Sequence, residues 1–132
     1  MKKLLFLFVS IILISACEDD SDVSPQLEGA WQLSEVLNDP GDGSGTFQPA
    51  DSDQSIEFFA DGTFKSPGTF CTTTLALLTE STGTYDKARS VLIVDDCFLN
   101  EVQIEYPYKM EDGNLIIEFM CIERCAKKYQ KR

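Results

Sequence analysis

From Val102 to Met110 the chain alternates without a break. Val102, Ile104, Tyr106, Tyr108 and Met110 take one side, and Gln103, Glu105, Pro107 and Lys109 take the other. A period of two sends successive side chains to opposite faces of a strand, so this stretch is extended, with one face buried and one wet. Pro107 donates no hydrogen bond to a ladder and has to sit at an edge, a bulge or a break in pairing.

The rest of the chain repeats the theme in shorter pieces. Leu27 to Leu37 puts Trp31 and Leu33 on one face. Ser55 to Ala60 and Thr63 to Lys65 flank Asp61-Gly62, a two-residue hairpin signal. Gly83 to Asp86 turns at Lys87-Ala88-Arg89 into Ser90 to Val94, and Asp95-Asp96-Cys97 ends that strand. After Asp112-Gly113, Leu115, Ile117 and Phe119 alternate with Ile116, Glu118 and Met120, and Ala126 to Lys131 follows the turn from Cys121 to Cys125. Asn38 to Asp53, rich in Gly, Pro and Asp, reads as a long loop. Ser66 to Leu78 reads as a loop in which Leu75 to Leu78 could form a helical turn. No stretch sustains a helical period. The expectation is all-β: an eight-stranded up-and-down antiparallel barrel, which hides its edges by closing on itself, with an open sandwich as the alternative.

Ahead of this domain, Lys2 and Lys3 precede an apolar run from Leu4 to Ile14 and then Ser15-Ala16-Cys17. A basic start, an apolar core of about ten residues and a small-residue cut site make a secretory signal peptide; the run is too short to span a bilayer. Ile14-Ser15-Ala16-Cys17 resembles the lipobox of bacterial lipoproteins. That resemblance implies cleavage after residue 16, a triacylated Cys17 and attachment to the outer membrane, facing the periplasm or the cell surface. Residues 17–26 read as an acidic flexible tether and residues 27–132 as the domain. Glu18, Asp19, Asp20 and Asp22 resemble the surface-export signal of such lipoproteins in Bacteroidetes, and are equally the composition of a plain solvated tether.

Cleavage removes Lys2 and Lys3, leaving nine basic residues against 22 acidic and a net charge of −13. A chain this acidic does not seek nucleic acid. Lys127, Lys128, Lys131 and Arg132 read as one solvated face of the last strand. With no histidine, the commonest general base and metal ligand is missing. Asp95-Asp96 reads as a solvated strand end whose neighbours point to opposite faces. Asp39, Asp42, Asp51 and Asp53 form an acidic loop without the ligand order of a calcium site. No metal, cofactor or enzymatic activity is implied.

In an exported chain, Cys71, Cys97, Cys121 and Cys125 read as two disulfides in preference to a zinc site, because C-x-x-C knuckles are lacking. Three pairings are possible. Cys121 and Cys125 flank a three-residue turn, which favours their pairing and leaves Cys71 with Cys97.

Several motifs, in order, resemble the lipocalin-like lipoproteins of the Bacteroidetes type: Gly29-Ala30-Trp31, the hairpin Phe58-Phe59-Ala60-Asp61-Gly62-Thr63-Phe64, Gly83-Thr84-Tyr85 and Asp112-Gly113-Asn114-Leu115. The resemblance covers roughly residues 27–132. It implies an eight-stranded barrel and often an apolar ligand. The family's cysteine after the first strand is absent, and the Cys121–Cys125 spacing is foreign to its pattern.

In an up-and-down sheet alternate connections lie at the same end. The loops after the first, third, fifth and seventh strands therefore share one end with all four cysteines. The tight turns and both termini take the other. Trp31 is expected inside the barrel near the tethered end, plugging it, with Lys131 or Arg132 as hydrogen-bond partner. Trp31, Phe58, Phe64, Tyr85, Tyr106, Tyr108 and Phe119 either line a cavity or fill it, since eight strands are just wide enough for both. The leading expectation is a membrane-anchored binding lipoprotein that holds a small apolar ligand at the loop-rich mouth. The alternative is a filled barrel that meets a protein partner through its loops.

Overall fold

A computed structural model describes residues 26–68, 70–71 and 80–132. The leader, Cys17, the acidic stretch up to Pro25 and the Leu75–Leu78 turn lie outside these residues. The strands are β1 (Gly29–Asn38), β2 (Gln48–Pro49), β3 (Ser55–Phe58), β4 (Thr63–Pro67), β5 (Glu80–Asp86), β6 (Val91–Leu99), β7 (Val102–Glu111), β8 (Asn114–Glu118) and β9 (Cys125–Lys131). Every pairing is antiparallel, and β9 returns to β1 over Trp31↔Lys131 through Asn38↔Cys125. The result is a closed eight-stranded barrel with one extra strand, β2.

The extra strand corrects the reading of Asn38 to Asp53 as pure loop. Glu35↔Pro49 and Val36↔Gln48 place β2 beside β1, on the same side as β3, which meets β1 at Gly29 to Gln32. Ala50 N–H donates to the Ser34 carbonyl and Leu33 N–H to the Gln54 carbonyl, both at 2.9 Å, so this stretch stays laced to β1 between the two strands. Phe47 then packs outside the barrel on Leu37, Ile116 and Ala126, a small second core.

The turns follow their chemistry. Asp112 and Gly113, both with positive φ, join β7 to β8 between Glu111 and Asn114. The β3–β4 hairpin has a longer tip than expected. Phe59 N–H donates to the Thr63 carbonyl and Gly62 N–H to the Phe59 carbonyl, leaving Gly62 left-handed at φ 88° in a three-residue loop. The Asp61 carboxylate accepts from the Thr63 amide and hydroxyl and fixes that tip. Pro107 sits one residue beyond the end of the β7–β8 ladder, at the expected break in pairing.

Strand β6 is longer than its sequence suggests. Asp95-Asp96 does not end it; it runs to Leu99 and turns tightly at Asn100-Glu101. Cys97 is therefore buried within a strand rather than in a loop. Ile93 pairs with Glu105 and Phe98 with Gln103, so Val94 to Cys97 bulge opposite a single β7 residue. The bulge breaks the alternation, and Asp95 and Asp96 both face solvent instead of opposite faces. Gln103 Nε2 reaches back to the Val94 carbonyl at 3.1 Å and satisfies an acceptor the bulge would strand.

Candidate functional site

At the end where the described chain enters, Trp31 is fully buried. Its indole N–H donates to the Leu27 carbonyl at 2.7 Å. This corrects the expected partner for a simple reason. The indole N–H is a donor, as are lysine and arginine, so it needs an acceptor. Lys131 lies instead over the ring face, with Nζ 5.3 Å from the centroid, and Arg132 donates to Gln32. Nearby, Lys87 pairs with Glu28, and this hydrogen bond holds the Glu28 carboxyl below its usual range. The Tyr85 hydroxyl donates to the Phe59 carbonyl at 2.6 Å.

Above Trp31 the aromatics form a continuous stack. Phe58 meets Tyr85 edge-on at 5.4 Å between centroids and Phe64 at 5.8 Å; Tyr106 meets Phe119 at 5.4 Å. The link between these groups is Phe70, absent from the aromatics singled out in the sequence. It lies 5.6 Å from Phe64, 6.1 Å from Tyr106 and 5.7 Å from Phe119. Tilted and edge-on contacts at this range are favourable geometries, each worth about 0.5–1.5 kcal/mol beyond burial. Trp31, Phe58, Phe64 and Tyr106 are buried in this core, and Tyr85, Tyr108 and Phe119 pack against it half-buried. Of the seven expected pocket residues, Tyr108 lines a surface cleft. That cleft, about 500 Å³, lies at the entry end with Gln26, Glu28 and Lys87.

The cysteines pair as Cys71–Cys97 and Cys121–Cys125, with Cα separations of 5.2 and 6.1 Å. All four stand at the loop end. The first bridge ties the residue next to Phe70 to the bulge of β6. Phe70 N–H also donates to the Ser81 hydroxyl at 3.1 Å. Phe70 is thus held from both sides at the mouth of the barrel.

The long acidic loop beside the mouth is internally satisfied. The Asp39 carboxylate accepts from the amides of Gly41, Gly43 and Gly45 at 2.7, 3.0 and 2.9 Å. Those bonds, with Gly41 first, keep its carboxyl below the usual range. Gly45 permits the fold, since a Cβ there would lie 2.7 Å from Asp39 Cα. Asp39 spends both its oxygens on the loop's own backbone. No group of three or more His, Cys, Asp or Glu among the described residues is arranged to hold a metal ion.

One basic residue is not on a solvated face. Lys127 points inward and is buried, its Nζ donating to Gln54 Oε1 at 2.9 Å and lying 5.1 Å from the Phe119 ring centroid. Burial pushes its ammonium down to about 8. Its neighbour Lys128 faces outward, pairs with Glu35 at 2.6 Å and covers Phe47 at 4.2 Å.

Five apolar side chains are exposed on the outer surface of the loop end. Phe98, Leu99 and Val102 project from the β6–β7 hairpin, and Met120 and Ile122 from the β8–β9 connection; all five are between 52% and 101% exposed. Leu99, Val102, Ile104, Glu105 and Met120 enclose a cleft of about 590 Å³. The hairpin part of this patch was hidden in the sequence. A Glu at the second turn position of Asn100-Glu101 does not carry the Asn-Gly signature.

No family model, curated protein or solved structure matches this chain.

Proposed function

We propose that this protein is a non-catalytic interaction module: a lipocalin-like barrel tied to the outer membrane through Cys17 that engages a protein partner with its loop end. The observation that carries the reading is the set of exposed apolar side chains at the end of the barrel opposite Gln26: Phe98, Leu99, Val102, Met120 and Ile122, of which Leu99, Val102 and Met120 line one cleft. Soluble proteins rarely leave large apolar side chains grouped in this way unless something docks there. The two disulfides at this end favour a rigid presenting surface.

An apolar ligand inside the mouth draws less support. Phe70 takes the place between Phe64, Tyr106 and Phe119 that such a ligand would use. The non-catalytic assignment rests on the absence of histidine and on the solvent-facing positions of Asp95 and Asp96.

Photo-crosslinking in cells tests the reading. A benzophenone side chain is placed at Leu99 or Ile122 in the loop end and, as control, at Ala88 in the opposite turn. Protein adducts from the first two positions and none from the third are expected. Stoichiometric binding of a fluorescent fatty acid, displaced by filling the mouth, with no adduct at either loop position, would replace this reading with the ligand one. For the anchor, Cys17→Ser is expected to move the protein from the membrane fraction to the soluble one.

A further inference from the structure

We infer that the loop end receives an extended, cationic segment of a partner protein, anchored by apolar side chains in the cleft between β7 and Met120. The inference rests on the interaction-module reading and adds the chemistry of the partner.

Three observations bear on it. The first is an open strand edge. Among the described residues, strand β7 pairs with β8 only from Tyr108 to Glu111, and runs on from Val102 to Pro107 with β6 alone as its ladder partner. Along that edge lies the cleft of Leu99, Val102, Ile104 and Met120. An incoming strand adds to such an edge by main-chain bonds and reads the flanking pockets with alternate side chains.

The second is charge. Asp95 and Asp96 precede Phe98 in β6, Glu101 sits in the turn between Leu99 and Val102, and Glu123 follows Ile122; all four are exposed, and none is in an ion pair among the described residues. The basic residues that reach this end are already committed: Lys65 pairs with Glu57 at 3.4 Å and Arg89 with Glu105 of the cleft. Arg124 pairs with Glu118 at 2.9 Å, and Lys127 is buried. Lys87, Lys131 and Arg132 stand at the opposite end. An acidic rim around an apolar floor selects a cationic partner and raises its rate of encounter.

The third is what the same charge disfavours. A second copy docking through this patch would bring two acidic rims together, and like charges juxtaposed across an interface oppose association. An anionic lipid surface is disfavoured on the same ground.

Three synthetic segments of equal length test the idea on the mature chain: alternating Lys/Val, alternating Glu/Val and alternating Lys/Ser. Fluorescence anisotropy gives affinity, and backbone amide shifts give the place. The Lys/Val segment is expected to bind at least tenfold more tightly than either of the others, and to weaken at least tenfold between 0.05 and 0.5 M salt. Its amide shifts should centre on Phe98 to Tyr106. Asp96→Asn with Glu101→Gln should weaken it and flatten the salt dependence. Val102→Ser should weaken it without changing the salt dependence. These positions are exposed, so folding is expected to survive and is checked by circular dichroism. Equal binding of the Glu/Val segment, or shifts at the Lys131 end, would overturn the inference. Crosslinks from Leu99 in cells separate the two levels. A basic partner segment supports both. An acidic protein or a second copy sinks this inference and leaves the module standing. No protein adduct removes the module itself.

Discussion

The Lys127 ammonium lies inside the barrel, 5.1 Å from the Phe119 ring centroid and 2.9 Å from Gln54 Oε1. A lysine placed there is easier to protonate in the unfolded chain than in the folded one. Its folded pKa is about 8, against an ordinary 10.5. Between those values the unfolded state binds more protons, so stability rises with pH through that window. Below about pH 8 the full penalty for the buried charge applies.

Denaturant unfolding at a series of pH values should therefore show a gain of about 2 kcal/mol from pH 7 to pH 9.5. Above pH 10 the trend reverses. Burial raises the folded phenol pKa of Tyr106 and Tyr129, so stability present below the unfolded value of about 10 is lost as the unfolded tyrosines ionise. Lys127→Met should remove most of the alkaline gain. A flat profile from pH 7 to 9.5 in the unmutated protein would show that Lys127 is solvated.

Lys127 also shows where sequence reading stops. Strand alternation places it inward between Cys125 and Tyr129, yet four basic residues near a terminus look like a solvated face. The partner that helps to make an interior lysine tolerable is Gln54, 73 residues away. The barrel, its closure by the last strand on the first, the shared end of all four cysteines and both disulfide pairings were legible, because meander topology and short-range spacing determine them. The bulge at Val94 to Cys97 was not, since Asp-Asp breaks the strand pattern without ending the strand. Nor was Phe70, whose seat depends on neighbours from β4, β5 and β7 and on Phe119. The apolar loop end followed from that missed bulge: with β6 ended early, Phe98 and Leu99 had no hairpin to stand on.

Trp31 is the sole tryptophan and its surroundings are dry. Its emission should be that of a buried indole and shift to the red only on unfolding. Trp31→Ala removes the ring beneath Lys131 and the donor to Leu27, and should destabilise by about 3–5 kcal/mol. An unchanged melting temperature would argue against a sealed entry end.

The Cys71–Cys97 bridge closes a separation of 26 residues beside Phe70. On the chain-entropy account its removal should lower stability by about 3 kcal/mol. The paired change Cys71→Ala with Cys97→Ala tests this, and peptide mapping without reduction checks the connectivity. Phe70 should then become mobile, seen as averaged ring resonances. The Cys121–Cys125 bridge closes a separation of only four residues, so Cys121→Ala with Cys125→Ala should have the smaller effect.

Gly83 occupies a strand interior, where glycine is normally a weakness. Here Phe64 lies across it. A Cβ at this position would come 2.1 Å from the Ile93 carbonyl oxygen and 2.8 Å from Phe64 Cε1. Backbone cannot yield to such an overlap without parting β5 from β6. Gly83→Ala should therefore destabilise by about 3 kcal/mol or more, measured by thermal melting. Thr84→Ala, on the exposed face next to it, should change stability by less than about 0.5 kcal/mol.

The last prediction joins strain to the proposed contact. Asn100 and Glu101 have φ of 49° and 66° in the turn between β6 and β7. A two-residue hairpin turn of this kind prefers glycine at its second position, and a side chain held left-handed costs about 1 kcal/mol. Glu101→Gly should raise stability by up to about that amount, less the entropy glycine gains when unfolded. The same change deletes one carboxylate from the acidic rim. It should make the protein more stable while weakening its grip on the Lys/Val segment, whereas Glu101→Gln should weaken the grip without the gain in stability. Melting curves and anisotropy on the two variants separate backbone strain from charge. A Glu101→Gly protein that melts lower than the parent would show that the turn is not strained at this residue.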